Sequence, residues 1–129
     1  MRRLPARPRS KQSRLAAELF GRRGETLAAW FLRLKGYRIL ASRYRTPAGE
    51  IDLVAQRFGT LVFVEVKARK SGSLDDAWIA VNDRRIADAA DYFLARHPRH
   101  ARSDMRYDVI FLAPFTWPRH VVNAFDAPH

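Results

Sequence analysis

The stretch GEIDLVAQRFGTLVFVEVKAR, from Gly49 to Arg69, constrains the fold more than any other part of the chain. Two apolar runs flank Arg57-Phe58-Gly59, a hairpin turn with glycine where a positive φ is wanted. Thr60 to Arg69 is the most apolar strand of the set, and Val62 to Val66 is apolar almost throughout, which predicts a central strand covered on both faces. Four charged residues nevertheless sit in this hairpin: Glu50, Asp52, Glu65 and Lys67.

Residues two apart in a strand share a face. Val62, Val64 and Val66 then line one face of the third strand, and Leu61, Phe63, Glu65 and Lys67 the other. Glu50 and Asp52 share a face of the second strand. A hairpin closing about Phe58 places Asp52 opposite Glu65 and Glu50 opposite Lys67, so three carboxylates and an ammonium gather on one patch. Left unpaired and buried, such carboxylates are strongly disfavoured or take up protons. Hard oxygen donors on adjacent strands suit Mg²⁺ or Mn²⁺, which keep waters for a substrate phosphate. Lys67 beside the ion would orient a water or neutralise charge on the phosphate. The same residues also suit a solvated sheet face with a salt bridge from Glu50 or Glu65 to Lys67. Spacing alone leaves both readings open.

The rest of the chain supplies a frame for this hairpin. Residues 1–13, MRRLPARPRSKQS, read as a flexible basic tail, and residues 14–129 as one domain. Leu15, Leu19, Leu27, Trp30, Phe31 and Leu34 recur at helical spacing, strongest from Arg23 to Lys35, with Gly36 as C-cap. Tyr37 to Arg45 alternates as a strand, Thr46 to Gly49 turns, and Glu50 to Gln56 is the next strand. After the break at Ser71-Gly72-Ser73, Leu74 to Val81 is a short helical piece and Asp83 to His97 a better one, stopped by Pro98. Strands follow from Arg106 to Leu112 and near Val121 to Phe125. The order predicts a single mixed α/β domain. Trp30, Phe31 and Trp78 fall on apolar helix faces and are expected in the core.

The formal charge is +11, from 24 Lys and Arg against 13 Asp and Glu. An excess of that size attracts polyanions, nucleic acid first and an anionic membrane surface second. The absence of cysteine excludes disulfides and thiolate zinc sites. His97, His100, His120 and His129 lack the spacing of a metal set. No apolar run spans a bilayer and no signal peptide is expected, so the protein is expected in the cytoplasm, with the nucleoid as one place within it.

These residues resemble the active-site signature of the PD-(D/E)XK nuclease superfamily: an acid in a G-E-I-D context, a short gap, then E-V-K on an apolar strand. Gly24-Glu25 is similar to the N-terminal helix glutamate of its archaeal Holliday-junction resolvase branch. The closer resemblance is to the uncharacterised bacterial YraN-type family. It is carried by Gly21, Gly24 and Glu25; Gly36-Tyr37; Gly49-Glu50-Ile51-Asp52-Leu53; Val62 to Lys67 with Arg69; and Arg106-Tyr107-Asp108-Val109. It covers about Gly21 to Asp126.

The resemblance implies a restriction-endonuclease-like fold, a mixed central sheet flanked by helices, and metal-dependent hydrolysis of DNA phosphodiesters, with branched or structured DNA among the candidate substrates. It implies that Asp52, Glu65, Glu25 and the main-chain carbonyl of Val66 hold Mg²⁺ or Mn²⁺. Lys67 would position the water, and Glu50 would act behind the ligands as a base or ion-pair partner. Related sequences carry a lysine at the start of the following helix. Asn82 stands there in this chain, and Arg84 or Arg85 supplies the charge instead. Arg22, Arg23, Arg69 and Lys70 flank the site in sequence and suit either phosphate clamps or scattered solvated charge. Arg38, Arg43 and Arg45 alternate with Tyr37 and Tyr44, which suits either a nucleic-acid contact or an edge strand blunted by charge. Asp108 is expected to pair with a helix-end arginine. A homodimer would bring two sites to a junction. The alternative reading is a catalytically silent nucleic-acid-binding module.

Overall fold

The computed structural model of the protein describes residues 22–68 and 83–124, together with Lys11. Expectations for the tail, the piece from Leu74 to Val81, Trp78, Arg69, Lys70 and Asn82 lie outside the described residues.

The first helix, α1, is Arg22–Leu34. It ends as its sequence dictates. Gly36 takes φ +90°, its N–H donates to the Arg33 carbonyl, and the Tyr37 N–H donates to the Leu32 carbonyl. This paired closure satisfies carbonyls that the helix leaves over. Three strands follow, β1 (Arg38–Thr46), β2 (Gly49–Arg57) and β3 (Thr60–Ala68), joined as antiparallel neighbours. The second helix, α2, is Asp83–Arg96, stopped at Pro98, where a single 3₁₀ turn begins. The strands β4 (Asp104–Leu112) and β5 (Arg119–Val121) complete one sheet in the order β1-β2-β3-β4-β5.

β3 and β4 run parallel while every other pair is antiparallel, so the sheet is mixed. α1 covers one face through Ala28, Ala29 and Leu32, against Leu53, Val62, Val64 and Ile110. α2 covers the other through Ile86, Ala90 and Phe93, against Ile51, Leu61, Phe63 and Val109. The alternation expected along β3 holds, and Leu61 to Glu65 are all buried. Phe63 and Phe93 meet edge to face at 5.8 Å between ring centres. Burying such a ring stabilises the fold by roughly 1.5–3 kcal/mol. This is an α/β fold, consistent with a restriction-endonuclease-like arrangement.

Two expectations are corrected. The last strand is Arg119–Val121, earlier than Val121 to Phe125, because Asn123 turns at φ +52° and its N–H donates to Asp108. Trp30 is 58 % exposed and Leu34 82 %, so neither is core. The alanines at 28 and 29, with Leu32, take the inward face, since small residues let α1 approach the sheet closely. Phe31 is half-buried beside that cluster.

Candidate metal centre

The site forms where the central hairpin loses its regularity. β2 pairs with β3 from Arg57↔Thr60 to Leu53↔Val64, in the register expected from a turn at Phe58, and the ladder stops there. β1 and β2 pair at Ser42↔Leu53 and again at Tyr44↔Ile51, passing over Arg43 and Asp52. Arg43 adopts φ +50°, a left-handed conformation that costs a non-glycine residue about 1–2 kcal/mol. Alternation fails at the same level, for Ile51 packs in the α2 cluster and Leu53 in the α1 cluster. Irregularities of this kind re-aim side chains. Here the Asp52 carboxylate crosses to β3, where its Oδ2 accepts the Val66 N–H at 2.8 Å.

A pocket of about 310 Å³ opens at this point. Its acids are Glu25 from the first turn of α1, Glu50 and Asp52 from β2, and Glu65 from β3. Carboxylate oxygens of Glu25, Glu50 and Asp52 lie within 4.8 Å of one another. Glu65, 8 % exposed, faces Lys67 Nζ at 3.3 Å and an Arg85 guanidinium nitrogen at 3.7 Å. Glu25 accepts Arg43 Nε at 2.6 Å, and Glu50 accepts Arg45 Nε at 3.3 Å. The cross-strand pairing of Glu50 with Lys67 is therefore replaced by two separate pairs, because the strands no longer stay in register beyond Leu53.

Burial pushes the Asp52 carboxyl up to about 6, and the charges of Glu65 and Glu25 push the same way. The Val66 N–H and Lys67 pull it down without cancelling those effects. Asp52 thus resists ionising chiefly because it is withdrawn from water, with the neighbouring acids adding to the effect.

The arginines divide. Arg43 and Arg85 line the pocket, Arg45 lies at its edge on Glu50, and Arg23 is exposed on α1. Arg22 opens α1, and Arg84 stands in the first turn of α2. Val66 lines the pocket, and its N–H is the one that Asp52 accepts. Gly49 makes room for Arg85: at φ +142°, a Cβ would come within 3.1 Å of the Arg85 Cγ and Cδ.

Asp108 lies elsewhere, fully buried in β4. Its partner is Arg106 on its own strand, which donates twice at 2.8 Å, and not an arginine at a helix end. His120 Nε2–H donates to Asp108 Oδ2 at 2.7 Å, while Lys35 Nζ donates to His120 Nδ1 at 2.6 Å. Burial would raise the Asp108 carboxyl, but the hydrogen bonds from His120, Arg106 and the Asn123 amide outweigh it and hold the group below its usual range. Sequence reasoning missed this chain of contacts, whose only local sign is the i, i+2 spacing of Arg106 and Asp108 on one strand face.

The family model described as "Uncharacterised protein family UPF0102" matches residues 24–112, a span that holds every residue lining the acidic pocket. The chain belongs to UPF0102. This agrees with the YraN-type resemblance of its motifs. The UPF0102 chain is similar to a UPF0102 protein of Bradyrhizobium diazoefficiens, 56 % identical over 117 residues, covering 88 % of this chain and 86 % of that one. A Rhodopseudomonas palustris UPF0102 protein is 53 % identical over 118 residues, covering 89 % of each. One from Parvibaculum lavamentivorans is 47 % identical over 121 residues, covering 93 % and 91 %.

Proposed function

We propose that this UPF0102 chain is a divalent-metal-dependent endonuclease that hydrolyses phosphodiester bonds in DNA, with branched or otherwise structured DNA among the candidate substrates. The observation that carries this reading is the opening of the β2–β3 ladder at Asp52, which brings that carboxylate to Glu25 and Glu50 and onto the Val66 amide. The motif resemblance to PD-(D/E)XK nucleases supports it independently.

The residues present fit Mg²⁺ or Mn²⁺. The donors are carboxylates and a main-chain carbonyl, the hard oxygen set such ions take. The pocket holds four acids, Glu25, Glu50, Asp52 and Glu65, against three cations, Arg43, Lys67 and Arg85. Asp52, Glu25, Glu65 and the Val66 carbonyl would hold the ion. When bound, it polarises a phosphoryl oxygen and acidifies water.

The chain's own groups do the rest. Lys67 Nζ, anchored on Glu65, holds a water by donating to it and faces the charge that grows on the phosphate. Arg43 and Arg85 flank the acids and receive non-bridging oxygens. Glu50, exposed at the pocket, would take the proton that the attacking water loses, while the leaving oxygen takes one from solvent.

One observation favours a second reading, binding without turnover. Glu65 already engages Lys67 and Arg85, Glu25 engages Arg43 and Glu50 engages Arg45, so internal cations occupy three of the four acids. Incubating labelled duplex, single strand, flap and four-way junction with Mg²⁺ or Mn²⁺ decides between them. Cleavage by the wild type, abolished in folded Asp52→Asn and Lys67→Ala, is the expected result. Wild-type cutting by Asp52→Asn would sink the nuclease reading, and binding without cutting in all three proteins would replace it with the second.

A further inference from the structure

A second cavity of about 260 Å³ adjoins the acidic pocket. Thr26, Ala29 and Arg33 of α1 form one wall, and Ser42 of β1 forms the other. The two cavities share Glu25 and Arg43, whose 2.6 Å ion pair is the partition between them. Glu25, Ala29 and Arg33 succeed one another at steps of four, so they form one stripe of α1 running away from the acids.

The chemistry changes across the partition. On the far side the polar groups are two hydroxyls and two guanidiniums, with Glu25 committed to Arg43. No carboxylate lies within ion-pair distance of Arg33 among the described residues. Its guanidinium instead lies over the Trp30 ring, with Cζ 5.1 Å from the ring centre. A guanidinium that lies over an indole is attracted by the ring yet keeps its N–H donors, and Arg33 brings them to the cavity wall, where a fork of donors suits two oxygens of one anion.

Arg43 links the cavities. Its left-handed backbone carries the strain described above, and strained residues are held where a side chain must point in an otherwise disfavoured direction. The direction here is toward the partition.

We propose that the cavity between α1 and β1 is a second phosphate subsite, which holds the phosphodiester next to the one in the acidic pocket through Arg33, Arg43 and the Ser42 hydroxyl. This rests on reading the acidic pocket as the site of the reacting phosphodiester. It makes the ligand a strand of at least two linkages, which crosses β1 and passes over α1. A lone phosphate monoester fills only half of the site.

The test uses the thymidine trinucleotide TpTpT and two versions in which one linkage is a neutral methylphosphonate. Binding is measured in Ca²⁺, whose looser coordination suits binding better than turnover. Wild-type protein is expected to prefer the fully charged ligand about tenfold over either neutralised one, the worth of a charge-assisted contact. Arg33→Ala is expected to cut the preference at one linkage to within about twofold. Arg33→Lys should restore it in part, since it keeps the charge and loses the fork. Arg119→Ala, an exposed arginine of β5 outside both cavities, should leave it unchanged. A wild type indifferent to neutralisation, or an Arg33→Ala protein that keeps the full preference, overturns the subsite. Loss of preference in Arg33→Ala together with no cutting of any labelled substrate overturns the nuclease reading and leaves the subsite standing.

Discussion

Asp52 carries a conflict between folding and function. Its folded carboxyl titrates near 6, against 3.8 for the unconstrained group, because burial and the neighbouring acids disfavour its charge. A carboxyl raised in this way favours the fold most at low pH, below its unfolded value. That contribution disappears as pH rises through about 6, when the folded chain must hold a charged Asp52. Asp52→Asn keeps an oxygen for the Val66 N–H and removes the charge. It should therefore stabilise the metal-free protein at pH 8 by about 1–2 kcal/mol and leave it unchanged near pH 4. Urea melts of the two proteins at both pH values check this, and equal curves at pH 8 would show that Asp52 is not under electrostatic strain. An added divalent ion should reverse the order at pH 8, since only the wild type gains from binding it.

At the scale of elements, β5 is the shortest strand of the sheet, and its ladder joins only three residues to β4. Backbone pairing of that length is weak, so side chains must pin it. Asp108 does so by accepting from His120 of β5 and from the Asn123 amide just beyond, while Lys35 ties the same histidine to the end of α1. The His120 side chain is 2 % exposed, and Asp108 is fully buried. Asp108→Ala leaves Arg106, His120 and an amide without their acceptor and should cost about 3 kcal/mol. The check is chemical denaturation, with hydrogen exchange at Val121 reporting whether β5 detaches first. The carboxyl is held below its usual range, so its contribution is present above about pH 4 and lost as pH falls further through the folded value. α1 works differently: it docks through Ala28, Ala29 and the single large side chain of Leu32, while Leu27, Trp30 and Leu34 remain outward beside Trp117.

At the scale of the whole molecule, a charge of +11 acts at long range. The acids of the pocket do not offset it. They are four among 13, gathered at one place where the surrounding arginines can still steer a polyanion inward. If about six phosphates are neutralised, DNA affinity should fall by about a thousandfold between roughly 50 and 200 mM salt. Fluorescence anisotropy of a labelled duplex across that range measures the slope. A flat response would remove nucleic acid from the partners and leave an anionic surface as the attraction. No helix among the described residues is long and apolar enough to cross a membrane.

The hairpin, the flanking helices and the hairpin register were all legible in the residues, because period-two and period-four apolar patterns are local properties of the chain. So was the company of Glu50, Asp52, Glu65 and Lys67, since a turn at Phe58 and strand geometry bring them to one end of the hairpin. The partners were not legible. Register alone would have set Asp52 against Glu65 and Glu50 against Lys67. The left-handed Arg43 and the broken ladder sent Asp52 to a backbone amide, and the β1–β2 register set Glu50 directly opposite Arg45. Gly49 stands beside Arg85 across 36 positions of sequence, and Lys35 beside His120 across 85. The outward turn of Trp30 followed from which helix face the sheet could admit. Such choices depend on how closely layers approach and where strands diverge, and they exist only once the sheet and both helices have closed around each other.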